Sequence, residues 1–153
     1  MAEVAERQFI TFTVAAEEYG VDIMAIREIK GWAPTTPLPE APEHMRGVID
    51  LRGTIVPIID LRTRFRHGLT EATPTHVIIV VAIGEMMVGL LADAVVDIVK
   101  VPVSDIQPVP EIEHGDTHGY LAGIVSVEGR MVVLLDLDSL LERDKQVLAA
   151  AAA

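Results

Sequence analysis

The sequence predicts a mainly β protein: two tandem five-stranded barrels related by a pseudo-two-fold axis, followed by a C-terminal helix. Three observations carry this. First, one strand–turn–strand phrase occurs twice, as "GVIDLRGTIVPIIDL" at 47–61 and "GIVSVEGRMVVLLDL" at 123–137, an offset of 76. Second, two further blocks repeat in the same order. "HVIIVVAIGEMMVGL" (76–90) matches "RQFITFTVAAEEYGV" (7–21) at an offset of 69, setting Gly89 against Gly20, and "PVPE" (108–111) answers "PLPE" (37–40) at 71. An internal duplication with a period of about 70 residues explains all three matches. Third, each unit holds about five short strand patterns, and a sheet of that size leaves exposed edges unless it curls shut. The predicted layout is one domain over 1–153, with a first barrel at 7–67, a second at 76–136 and a helix and tail at 137–153.

Each element has a local reason. "QFITFTV" (8–14) alternates Ile10, Phe12 and Val14 with Thr11 and Thr13, the pattern of a half-buried strand. "GVDIMAIREI" is rich in branched residues and reads as two strands with a bend near Asp22–Ala25. Four prolines from Pro34 to Pro42 then prevent interior ladder bonds. That segment is too apolar, and too poor in Ser and Gly, for a flexible linker, so it reads as an ordered, extended connection. Strands at 47–52 and 55–59 meet at Arg52-Gly53-Thr54, where Gly53 takes the positive φ of a tight hairpin. Pro57 points to an edge strand or a bulge. "GLTEATPT" (68–75) is a polar loop, after which the plan restarts. "LDSLLERDKQVLAAAAA" is helical, with an alanine tail that frays.

Composition removes several function classes. Net charge is −11, which disfavours nucleic-acid and anionic-membrane partners. The charge is uneven: residues 1–67 hold 8 basic and 10 acidic residues, and residues 68–153 hold 4 and 13. The second half therefore suits a basic partner better than the first. There is no cysteine, hence no disulfide, no thiol nucleophile and no Cys-ligated zinc. "MAEVAERQF" lacks the basic and apolar regions of a signal peptide, and Val77–Ile83 is too short to span a bilayer, so a cytoplasmic location is expected.

The candidate chemical sites read mostly as structure. Asp60 and Asp136 stand at equivalent places and could form an aspartic-type acid–base pair, but neither is followed by the small hydroxyl-bearing turn of that chemistry. They read as N-caps of the helices that follow. His114, Asp116 and His118 lie in a Gly-containing loop and read as solvated; His44, His67 and His76 read as surface. Met86 and Met87 read as packing. No P-loop, dinucleotide fingerprint or nucleophile elbow is present. The hairpins differ in sign: Asp50 and Arg52 in the first become Ser126 and Glu128 in the second. Two pseudo-equivalent surfaces of opposite charge suit two different partners. Glu28 is the expected ion partner of Arg52.

"EYGVDIMAIREI", "LPEAP", "GVIDLRGTIVPIIDLRTRF", "VGLLADAVVDIV" and "LLDLDSLL", in that order, closely resemble the CheW family of bacterial chemotaxis coupling proteins over about residues 7–143, with Asp50 where the family usually has Asn. The resemblance implies paired Src-homology-3-like barrels, no enzymatic activity, no cofactor and no metal. It implies an adaptor between the cytoplasmic hairpin tip of transmembrane chemoreceptors and the regulatory domain of the histidine kinase CheA, in receptor arrays at the inner membrane face. Carried over by motif, Ile26, Glu28 and Arg52 belong to the surface affecting both contacts, and Val77, Val95 and Ile98, near Gly89, line the receptor groove. A regulatory domain of a larger kinase or a coupling–receiver protein is the alternative within the family, although the start at Met1 favours a free-standing protein. An aspartic-type hydrolase using Asp60 and Asp136 and a small-ligand barrel are the alternatives outside it.

Overall fold

The computed structural model describes residues 5–109, 120–145 and 148. Its strands are β1 (Glu6–Val14), β2 (Glu17–Asp22), β3 (Ile26–Gly31), β4 (Met45–Leu51), β5 (Thr54–Asp60), β6 (Val77–Ile83), β7 (Met86–Ala92), β8 (Ala94–Pro102), β9 (Leu121–Val127) and β10 (Arg130–Leu135). Two short helices, α1 (Leu61–Arg64) and α2 (Leu137–Leu140), follow β5 and β10.

The strands form two five-stranded sheets, with orders β8-β1-β2-β10-β9 and β3-β6-β7-β5-β4. Replacing each strand by its equivalent in the other repeat turns one order into the other, so the sheets are pseudo-symmetric. Their composition corrects the expected boundaries. The barrels are not 7–67 and 76–136, because β1 and β2 leave their own repeat and pair with β8 and β10, while β6 and β7 pair with β3 and β5. The chain changes sheet at two places. One is the 3-10 turn Ile23–Ala25, at the expected bend, where the Asp22 carboxylate accepts from Met24 N. The other is Asp93, between β7 and β8.

This exchange decides the packing. Alternate residues of a strand face opposite sides, and here both sides are covered. On β6, Ile78 and Val80 face the interior of their own barrel with Ile49, Val56 and Ile58. Ile79, Val81 and Ile83 face a larger core shared by both sheets, with Phe12, Val14, Val21 and Leu90. Phe9, Val99, Val125, Val132 and Leu134 fill the other barrel. β1 is likewise covered on both faces, so Thr11 is fully buried and the half-buried expectation fails. Tyr19, Phe65 and Tyr120 stack through the shared core, at 4.7 and 5.5 Å between ring centroids. Burial, aided by Glu17 and Tyr120, pushes the Tyr19 phenol up to about 12.

Other expectations need adjustment. Pro57 lies in a central strand, between β7 and β4. The parallel ladder to β7 starts one residue later, at Ile58, so the missing N–H breaks no rung. The proline-rich segment is ordered as expected: Thr36 and Val48 exchange N–H···O bonds of 2.9 Å each way. The C-terminal helix is short, and the chain turns at Leu141 into a 3-10 segment, Glu142–Asp144. The alanine tail lies outside the described residues. His44 is not a bare surface residue, because its Nε2 lies 2.8 Å from Oδ1 of the buried Asp144. Met86 and Met87 pack against the shared core and a barrel interior, respectively.

The β1–β2 turn carries strain. Ala15 and Ala16 have φ of 51° and 70°, the two positive values of a type I′ hairpin, where Asn-Gly is the favoured pair. An L-residue there costs roughly 1–2 kcal/mol. Replacing the pair (Ala15→Asn with Ala16→Gly) is expected to raise stability by about 1 kcal/mol, or Tm by roughly 2–4 °C. Calorimetry showing no rise would refute the strain assignment.

Candidate partner-binding surfaces

The two long hairpins sit at opposite places in the pseudo-symmetric unit. β4–β5 turns at Arg52-Gly53, with φ of 51° and 89°, and β9–β10 at Glu128-Gly129, with 50° and 81°. Both are two-residue type I′ turns, as the Gly predicts. The charged residue of each projects outward: the Arg52 side chain is 74% exposed and that of Glu128 is 80%.

Arg52 donates to Glu28 Oε1 at 2.9 Å, the pair expected from the sequence. Glu28 is on β3 and Arg52 follows β4, the two outer strands of one sheet, so this contact shows the sheet curling until its edges meet. The second copy keeps the link by another route. Glu128 replaces Arg52 and cannot bond Asp97, the equivalent of Glu28. Arg130, two residues on, reaches Asp97 Oδ2 at 3.9 Å, Glu18 Oε1 at 3.0 Å and Glu128 Oε2 at 3.5 Å. Hydrogen bonding to Glu18 raises the Arg130 pKa further above its already high ordinary value. Among the described residues, Glu28 Oε2 is buried without a hydrogen-bond partner, which makes the first surface the electrostatically less complete of the two.

The predicted site residues divide into four sets. Ile26, Glu28 and Arg52 belong to one curled sheet, Ile26 pairing with Val81 at the start of β3. Val95 and Ile98 lie on β8, the edge of the other sheet; with Val96 they leave an apolar stripe in water, and Ile98 is 57% exposed. Ile29 gives the equivalent exposed residue on edge strand β3. Val77 is half-buried and opposite Ala92, so it stands at the crossing from which β8 departs. Gly89 is not a surface residue. It is buried in β7, and a Cβ there would come within 2.5 Å of Ile58 Cδ1 and 2.8 Å of Ile78 Cγ2. Its requirement is close packing of strands. The reading of the sequence missed Met24 and Met131, both largely exposed; their apolar character on short turns and hairpins was the available signal.

No reaction centre is assembled from Asp60 and Asp136. Asp60 is fully buried, and its oxygens accept from Arg62 N, Thr63 N, Thr70 N and Thr70 Oγ1 at 2.7–3.4 Å. Asp136 is exposed and accepts from Ser139 N at 3.3 Å. Both are the N-caps expected, and among the described residues no hydrogen bond joins them. Among the described residues no three His, Asp or Glu side chains form a metal cluster; His114, Asp116 and His118 lie outside them. The barrel interiors are filled by Val, Ile and Leu, with no ligand chamber described in either. Two concavities among the described residues are surface grooves. One of about 490 Å³ is lined by Gln107, Ile124, Ser126 and Met131 beside the second hairpin. One of about 390 Å³, between the sheets, is bordered by Arg7, Asp22, Gly84, Asp136 and Asp138. No helix among the described residues is long and apolar enough to cross a membrane.

These features describe a doubled β-unit whose chemistry lies on its surface and not in a catalytic pit. The chain belongs to the CheW-like domain family, whose profile matches residues 8–145. It is 44% identical over 143 residues to the chemotaxis protein CheW of Rhizobium meliloti, covering 94% of this chain and 92% of that one. It is 36% identical to that of Klebsiella aerogenes, covering 95% and 88%. The crystal structure of the scaffolding protein TtCheW from Thermoanaerobacter tengcongensis is similar at a TM-score of 0.82 and 33% identity, over 90% of this chain and 94% of that one. The family is one of non-enzymatic chemotaxis scaffold proteins.

At the groove, Arg7 donates to Asp22 Oδ2 at 2.8 Å. Partial burial raises the Asp22 pKa, but the Arg7 bond, the Met24 N–H and the Arg7 charge together lower it below its ordinary 3.8. The pair therefore stabilises the fold above that value and stops doing so as pH falls through the lower folded value. A double-mutant cycle with Arg7→Met and Asp22→Asn should give a coupling of about 0.2–1 kcal/mol near neutral pH, lost as acid protonates Asp22 in the folded state. A coupling that persists in acid would contradict the assignment.

Proposed function

We propose that this protein is an adaptor in chemosensory two-component signalling, joining the cytoplasmic tip of transmembrane chemoreceptors to the regulatory domain of a CheA-type histidine kinase. The observation that carries the reading is the pair of pseudo-equivalent surfaces on one unit: a hairpin ending in Arg52, a hairpin ending in Glu128, and an apolar stripe on edge strand β8. The stripe and Val77 offer a row of branched side chains to the apolar face of a receptor helix, the usual basis of helix-in-groove recognition. The surface with Ile26, Glu28 and Arg52 affects both contacts. Gly89 acts indirectly, by holding β7 against β5 and β6. Each contact is of modest size, and an array multiplies it through linked partners. The protein works at the cytoplasmic face of the inner membrane, held there by its partners and not by lipid.

Arg52→Glu is expected to weaken binding of a CheA-type regulatory domain, or of a receptor cytoplasmic fragment, about tenfold, which is about 1.4 kcal/mol. The replacement also faces Glu28, so Arg52→Gln serves as the control for local repulsion. Calorimetric titration of each partner and a thermal melt check this. Unchanged affinity for both partners would reject the site; binding of neither by the unaltered protein would reject the function.

A further inference from the structure

The strongest cluster outside the partner surfaces is centred on Asp93, where the chain leaves one sheet for the other. Its N–H donates to Thr13 O of β1 at 2.9 Å. Its Oδ2 accepts from Ala15 N, in the β1–β2 turn, at 2.9 Å. The same oxygen accepts from the Arg62 guanidinium at 3.2 Å, and Oδ1 lies 3.5 Å from that group. His76 Nε2 is also 3.5 Å from Oδ1. His76 Nδ1 accepts from Thr73 N at 3.0 Å, so the ring's remaining N–H faces Asp93. Thr13 and Ala15 belong to one sheet. Arg62 follows β5 and His76 precedes β6, both of the other. A single partly buried carboxylate therefore holds groups from both.

The shared core between the sheets is apolar, and apolar contact is nearly non-directional. Hydrogen bonds and ion pairs are directional, and can select one arrangement among several of similar packing. The other crossing is built differently: its carboxylate, Asp22, accepts from Met24 N and the Arg7 guanidinium, and both Arg7 and Asp22 belong to one sheet. There Met24 stands in the place of Asp93 and Asp138 in the place of Arg62, and Met24 is 79% exposed.

We propose that Asp93 is a positioning residue that fixes the angle between the two sheets, and so the relative placement of the receptor and kinase surfaces. This rests on the adaptor function proposed above. In this proposal Asp93 acts through the geometry of Ala15, Arg62 and His76 and not by contact with a partner. The strained alanine turn fits this role, because Asp93 takes the Ala15 N–H and keeps the turn in its unfavourable conformation.

The test uses the full chain with Asp93→Asn, which keeps the size and removes the charge, and Asp93→Glu, which keeps the charge. Three quantities are measured: affinity for an isolated kinase regulatory domain, affinity for a receptor cytoplasmic fragment, and receptor-dependent kinase autophosphorylation in the reconstituted ternary mixture. For Asp93→Asn both binary affinities should stay within about twofold while ternary activation falls at least about fivefold, the lower end of ordinary coupling between sites. Asp93→Glu should recover more than half of the loss. Residual dipolar couplings should show a changed inter-sheet angle in Asp93→Asn only. Full ternary activation by Asp93→Asn overturns the proposal. So does a parallel loss of both binary affinities, which would make Asp93 a merely structural residue. If the unaltered protein binds neither partner, the adaptor function itself falls and takes this proposal with it.

Discussion

Four central strands have to be kept from water on both faces, and the rest of the molecule follows from that. Ile78, Ile79, Val80 and Val81 are all fully buried, although successive residues of a strand point in opposite directions. One side needs a barrel interior and the other needs a second sheet. Each full burial contributes roughly 1.5–3 kcal/mol. Both covers come by exchange, each repeat lending two strands to the other. The result has the topology of two small subunits that have exchanged elements, built into one chain.

Duplication left a symmetric frame, and the surfaces then diverged without opening it. In one copy the curled edges are joined by Arg52 and Glu28. In the other the arginine has moved to position 130, which frees the hairpin tip to carry Glu128. The link is kept while the sign presented to a partner is reversed. Exposed ion pairs of this kind contribute little to stability. Their value here is geometric: they hold the tips at fixed places.

Much of this was legible in the residues. The repeated blocks announced the pseudo-symmetry, Gly53 the first hairpin, and Asp60 and Asp136 the caps. Even the Arg52–Glu28 pair could be named from strand ends. The exchange of strands could not. In a duplicated chain, equivalent strands carry nearly equivalent patterns, so β1 fits a sheet of its own repeat as well as the one it joins. The unbroken apolar run of β6 was a clue to two-sided burial, but Thr11 and Thr13 hid the same property in β1. The roles of His44 and His76 depend on Asp144 and Asp93, placed beside them only by the fold. Pro57 misled because its rule concerns the N–H, and the ladder here begins one residue beyond it. Gly89 was carried into the partner site by resemblance, although its neighbours Ile58 and Ile78 show a steric need.

The strand orders also impose a timetable on biosynthesis. One sheet uses β3 to β7 and is complete once the ribosome has released residue 92; the other cannot close until β10 has emerged. The β1–β2 hairpin, made earlier, must therefore wait for β10 to arrive. During that interval its apolar side chains, Phe9 and Phe12 among them, lack their final neighbours. The nascent chain is consequently most vulnerable to wrong association at β1 and β2, in the interval before β10 emerges.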